Sequence, residues 1–165
     1  MAVPAEWAGE ASDAEAMRAL GAQIARWLVA GDLVVLSGGL GAGKTTLTQG
    51  LAEGLGVRGP VTSPTFVIAR VHPSLVGGPA LVHVDAYRLG SLDEVDDLDL
   101  DASLEESVTV VEWGEGRVEA LAESRLEVSL TVDPTATADP GTGAERRLVR
   151  VRGLGARWAG GLQRP

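Results

Sequence analysis

Apolar residues recur along this chain in two rhythms. Leu33-Val34-Val35-Leu36-Ser37 is a short apolar run suited to a parallel strand buried on both faces, whereas Leu47, Leu51 and Leu55 within Thr46–Leu55 stand four apart, as on a helix packed against a sheet. Upstream, Ser12 or Asp13 can cap a helix running to about Ala30, with Ala16, Leu20, Ile24 and Trp27 or Leu28 on its buried face, before Gly31-Asp32 turns the chain. Downstream, Phe66–Val71 and Ala80–Asp85 read as strands joined through His72-Pro73-Ser74 and Gly77-Gly78-Pro79, and Val108–Glu112 is a further apolar strand. Pro64 excludes a helix interior in the connection at 61–65. Leu126, Val128, Leu130 and Val132 alternate with Glu127, Ser129 and Thr131, which predicts a half-buried strand. Residues 133–144 read as a flexible loop, and Glu145–Arg152 as a last strand that pairs back. Residues 1–12 and 153–165 carry little pattern and are expected to be loose ends of a single domain spanning 1–165.

Between the first strand and its helix lies Gly38-Gly39-Leu40-Gly41-Ala42-Gly43-Lys44-Thr45, a full match to the phosphate-binding pattern G-x-x-x-x-G-K-[ST]. Strand, glycine loop, helix is the order that this pattern requires. Lys44 is the only lysine in the chain, and every other basic side chain is arginine. A loop wound around a polyphosphate admits a thin stem ending in a point charge more readily than a planar guanidinium fork. The expected contacts are the backbone of Gly39, Leu40, Gly41, Ala42, Gly43, Lys44 and Thr45, the Lys44 ammonium between the β- and γ-phosphates, the Thr45 hydroxyl on Mg²⁺, and Thr46 at the α-phosphate. Such a lysine is expected to be solvated in the absence of nucleotide. The predicted fold is a three-layer α/β P-loop domain with a mixed, mainly parallel central sheet.

Composition narrows the setting. The chain has 165 residues, 45% hydrophobic and 22% charged, and no cysteine, which excludes disulfides, thiolate metal sites and Cys nucleophiles and fits a cytoplasmic protein. No stretch approaches a membrane span and no signal-peptide pattern opens the chain. A net charge of -9 argues against extensive direct contact with nucleic acid. Arg146, Arg147, Arg150 and Arg152 cluster, but Arg150 and Arg152 alternate with Val149 and Val151, as on the solvent face of an edge strand.

Hydrolysis of a nucleoside triphosphate also needs an acidic element, normally at the end of a neighbouring strand facing the same crevice. Asp85 and Glu112 each follow an apolar run, and either or both can serve. Asp93, Glu94, Asp96, Asp97, Asp99, Asp101, Glu105 and Glu106 form an acidic stretch without the spacing of a calcium loop, better suited to a solvated helix face or to a basic surface on a partner.

Four motifs in order, the phosphate loop, Ser63-Pro64-Thr65-Phe66, His83-x-Asp85-x-Tyr87-Arg88 and Glu112-Trp113, resemble the TsaE (YjeE) family of small bacterial ATPases needed to make threonylcarbamoyladenosine in tRNA. The resemblance covers about residues 13–132. It implies ATP and Mg²⁺ as cofactors and docking on a TsaD and TsaB pair, with tRNA met only through that complex. It also implies Thr45 and Glu112 as Mg²⁺ ligands, Asp85 on the ion or its waters, Ser63–Thr65 as a switch near the γ-phosphate with Thr65 among the catalytic residues, and Trp113 beside the nucleotide. The helix start at about Ser12–Met17 would lie at the adenine end. For His83, a core-facing place or a contact supporting a ligand stands beside proton transfer. Where this chain has Gly39 the family often has an acidic residue, so any role of that carboxylate is missing here.

Readings of other classes are a small-metabolite kinase and an interaction module with a vestigial pocket. Asp99-Leu100-Asp101 could be the acidic pair of a kinase but does not follow a strand, and no arginine-rich lid is evident. A GTPase would need N-K-x-D, which a chain with no lysine outside the loop cannot contain.

Overall fold

The computed structural model describes residues 5–39, 41–61, 69–85, 105–112, 123–133 and 145–163, and of Asp85 only the backbone. Leu40, Ser63–Thr65, Phe66, Tyr87, Arg88, Trp113 and the acidic residues Asp93–Asp101 lie outside these. The described elements are β1 (Ala5–Ala11), α1 (Ala14–Ala25), β2 (Leu33–Gly38), α2 (Lys44–Leu55), β3 (Ala69–His72), β4 (Ala80–Asp85), β5 (Ser107–Glu112), β6 (Arg125–Val132) and β7 (Arg147–Leu154), followed by a 3-10 turn at Ala156–Trp158. Their strands form one seven-stranded sheet in the order β1-β7-β6-β2-β5-β4-β3. Pairing is parallel between β6 and β2, β2 and β5, and β5 and β4, and antiparallel at both flanks. The mixed sheet expected from sequence is thus parallel in its centre, where the site lies.

Leu33, Val34, Val35 and Leu36 of β2 are all buried, as are all six residues of β5, so these strands are covered on both faces. Val34, Leu36, Val110, Leu126, Val128 and Leu130 share one core with Ile24, Leu28, Leu47 and Leu51 of the helical layer. The two helices touch backbone to backbone. A Cβ on Gly21 would strike the carbonyl oxygen of Leu47, and one on Gly50 would strike that of Arg18. Asp13 caps α1 by accepting the Ala16 amide at 2.7 Å. α1 stops at Ala25 rather than Ala30, because the amides of Arg26, Trp27 and Leu28 turn to carbonyls three residues back and the Asp32 carboxylate takes the Val29 amide at 2.8 Å.

The described parts of both expected loose ends, residues 5–12 and 153–163, carry structure. Residues 5–11 pair with residues 147–153 of β7 and leave β1, not β7, at the sheet edge. Arg152 of β7 is therefore a cross-strand partner, 3.3 Å from Glu6 and 3.9 Å from Glu127, and Arg146, just before β7, lies 3.4 Å from Glu10. Exposed pairs of this kind add little stability, but a one-residue slip would send Glu6 and Glu10 to the opposite face, so they specify register.

Beyond β7, Trp158 is 1% exposed in the core and Arg157 stacks on its ring at 3.8 Å. Arg157 also holds the buried Asp32 with two bonds, at 3.0 and 3.1 Å, and donates to the carbonyls of Trp27 and Gln163. Breaking this forked pair strands a carboxylate that is 5% exposed. Arg157→Ala should cost about 3 kcal/mol, and Arg157→Lys less, because it keeps the charge and loses the fork. Thermal melting checks this, with a fall of roughly 6–12 °C expected for the alanine variant. No helix among the described residues is long and apolar enough to cross a membrane.

Candidate nucleotide site

The connection from β2 to α2 turns on Gly41 (φ 76°) and Gly43 (φ 106°), both in the left-handed region where a side chain would be strained. The Ala42 amide closes the tip by donating to the Gly39 carbonyl at 3.1 Å. Gly43 is the N-cap of α2 and offers no side-chain cap. The Leu47 amide makes the first bond of the helix, to the Gly43 carbonyl at 2.9 Å. The amides of Lys44, Thr45 and Thr46 thus begin a helix with no intrahelical acceptor, at its positive dipole end.

Lys44 is not solvated as its charge alone suggests. It is 7% exposed, and its ammonium donates to the carbonyls of Gly38 at 2.8 Å and Gly39 at 3.1 Å. A buried ammonium needs acceptors, and the carbonyls where β2 leaves the sheet supply them. Thr48 steadies the same turn through its hydroxyl on the Lys44 carbonyl at 2.8 Å.

Sheet register brings the two strand-end carboxyl residues to this place. Glu112 of β5 is the register partner of Asp85 on one side and of Leu36 on the other, two residues before the loop departs at Gly38. Glu112 is 5% exposed, and its Oε1 lies 2.9 Å from His83 Nε2. Its second oxygen takes no hydrogen bond among the described residues.

On the helix side of the loop a cavity of about 190 Å³ is bounded by Asp13, Met17, Gly41, Thr46, Glu145 and Arg147. Arg147 donates to the Gly41 carbonyl at 3.3 Å and lies 3.6 Å from the Glu145 carboxylate. Sequence reasoning left Arg147 on a solvated strand face. Gly41 is 106 positions away, and no spacing rule joins a strand near one end of the chain to a loop near the other. A larger concavity of about 460 Å³ lies on the β1–β7–β6 face beside Glu10, Ser129, Thr131 and Arg150 and shares no lining residue with the glycine loop.

The residues present fit a magnesium nucleotide. Uncapped helix amides and a buried ammonium suit a polyphosphate, and a hydroxyl at the helix start with a carboxylate oxygen left open suits a hard cation that shares phosphate oxygens.

The family model described as "TsaE: Threonylcarbamoyl adenosine biosynthesis protein TsaE" matches residues 11–139. A protein of that name from Streptomyces coelicolor is 67% identical over 144 residues, covering 87% of this chain and 94% of its own. The Mycobacterium tuberculosis relative of the same name is 55% identical over 118 residues, covering 67% of this chain and 70% of its own. The crystal structure of Bacillus subtilis YdiB superposes with a TM-score of 0.71 at 28% identity, covering 95% of this chain and 91% of that one. With its glycine loop, strand-end carboxylate and mixed sheet accounted for, the chain belongs to the TsaE family.

Proposed function

We propose that this chain is an Mg²⁺-dependent ATPase supporting threonylcarbamoyl transfer to adenosine in tRNA, in the cytoplasm, through a TsaD and TsaB type pair. The observation that carries it is the start of α2, which has no side-chain cap and whose Lys44 ammonium is held at the end of β2, while the buried Glu112 ends the neighbouring strand β5. In this reading the loop amides from Gly39 to Thr45 hold the β-phosphate, and Lys44 shifts from the loop carbonyls toward the β- and γ-phosphates. Thr46 faces the α-phosphate, and the cavity between Asp13 and Arg147 takes the nucleoside. Thr45, Glu112 and Asp85 are the residues that would hold Mg²⁺, which when bound neutralises charge developing on the phosphates. Thr65 would act in a switch at the γ-phosphate. A metabolite kinase is the weaker reading, because the matching family is described by threonylcarbamoyl adenosine biosynthesis rather than by phosphorylation of a small acceptor.

Among the described residues the arginine bonded to the loop is Arg147, and it holds the Gly41 carbonyl beside the helix-facing cavity. A missing transition-state cation costs about 10³–10⁵ in rate, so turnover by the isolated chain should be slow. ATP hydrolysis followed with and without the TsaD and TsaB pair should show acceleration by the pair. With a net charge of -9 on this chain, that acceleration should shrink as salt rises. Fast turnover by the isolated chain that the pair does not change would remove the proposal.

A further inference from the structure

We propose that His83 is the positioning residue for Glu112: its Nε2–H holds one carboxylate oxygen so that the other is presented to a divalent cation at the carboxyl ends of β4 and β5. The inference rests on the site reading above and adds a part to it.

His83 is 0% exposed and pairs in register with Val110, two positions before Glu112 on the same strand. The two side chains therefore meet on the diagonal of the β4–β5 ladder, on the face that carries Leu36 and the helical layer. An ionised carboxylate can only accept, so in the 2.9 Å contact Nε2 is the donor. Nδ1 is buried and has no partner among the described residues. A side chain retained for packing alone would not carry that burden, because a leucine would fill the same place without an orphaned ring nitrogen. Among the described residues the ring's one polar contact is Glu112. Glutamate has three rotors to immobilise when it binds a cation. A donor on a fully buried ring immobilises them beforehand and fixes which oxygen remains open.

The test uses the full chain with a non-hydrolysable ATP analogue. Its affinity is measured with and without Mg²⁺, and Mn²⁺ in the complex is counted by electron paramagnetic resonance. His83→Leu should weaken Mn²⁺ binding by about 10–100-fold while metal-free nucleotide affinity stays within about twofold. His83→Gln, whose amide NH₂ reaches the place of Nε2, should recover most of the loss, and the shorter His83→Asn should not. Unchanged metal affinity in His83→Leu would overturn the proposal, as would equal losses with and without metal, the mark of a merely structural role. If His83→Leu does not fold, the contrast between Gln and Asn decides, and equal behaviour of the two overturns the proposal. Glu112→Gln is the control. Metal binding indifferent to it would remove the site reading itself, whereas a loss there with none in His83→Leu removes only the role of His83.

Discussion

Lys44→Ala should lower single-turnover ATP hydrolysis by a factor of about 10²–10³, the order seen when one preorganised donor to developing charge is removed. The ammonium is already gathered at the root of the loop, 2.8 and 3.1 Å from two carbonyls, with its stem buried, so little must be reorganised for it to meet a phosphate. Lys44→Arg should fail nearly as badly, because the guanidinium is wider and would not fit the space the lysine stem occupies. The loss of two hydrogen bonds should cost the fold about 1–3 kcal/mol, leaving a cooperative melt. Hydrolysis at the wild-type rate in either variant would refute the assignment of the loop.

Gly50→Ala should destabilise the protein by about 2–4 kcal/mol, against the sign expected of a helical Gly→Ala exchange on a surface, which gains about 1 kcal/mol. The new methyl would meet the carbonyl of Arg18, whose carbon and Cα lie 2.8 and 2.9 Å from it, and backbone cannot swing aside as a side-chain tip can. Gly21 is held the same way from the other helix. Thermal melting checks the sign. Gly160→Ala, whose methyl would meet only the Gln163 amide at 3.7 Å, serves as the tolerated comparison. Since α2 starts at Lys44 and α1 starts beside the cavity, nucleotide affinity should fall together with stability in Gly50→Ala.

The parts legible in the sequence are those whose burial is set locally. The alternation over Arg125–Val132 marks β6 because it reports one wet and one dry face, and apolar runs ending in a carboxylate mark β4 at Ala80–Asp85 and β5 to within one residue, Ser107 preceding the expected start at Val108. The phosphate loop was legible because its chemistry is contiguous. What depends on a distant partner was not. Ala5–Ala11 is rich in alanine with one glycine, and only the seven-residue ladder with β7 makes it a strand. Trp158 lacks periodic neighbours, so its burial and the grip of Arg157 on Asp32 were invisible. The contacts of Arg147 with Gly41 and of His83 with Glu112 arise from topology, in one case across 106 positions and in the other across 29.

The pairing of β1 with β7 has a consequence for the order in which the protein comes to be. A ribosome releases residues 5–11 early, yet their partner at 147–153 emerges only after the parallel centre, the loop and both helices are outside the exit tunnel. Until then the β1 segment waits as an unpaired apolar-and-acidic ribbon, and afterwards it seals the edge that β7 would otherwise expose to other chains. Glu6 and Glu10 keep that waiting ribbon charged during synthesis, and the arginines that neutralise them arrive last.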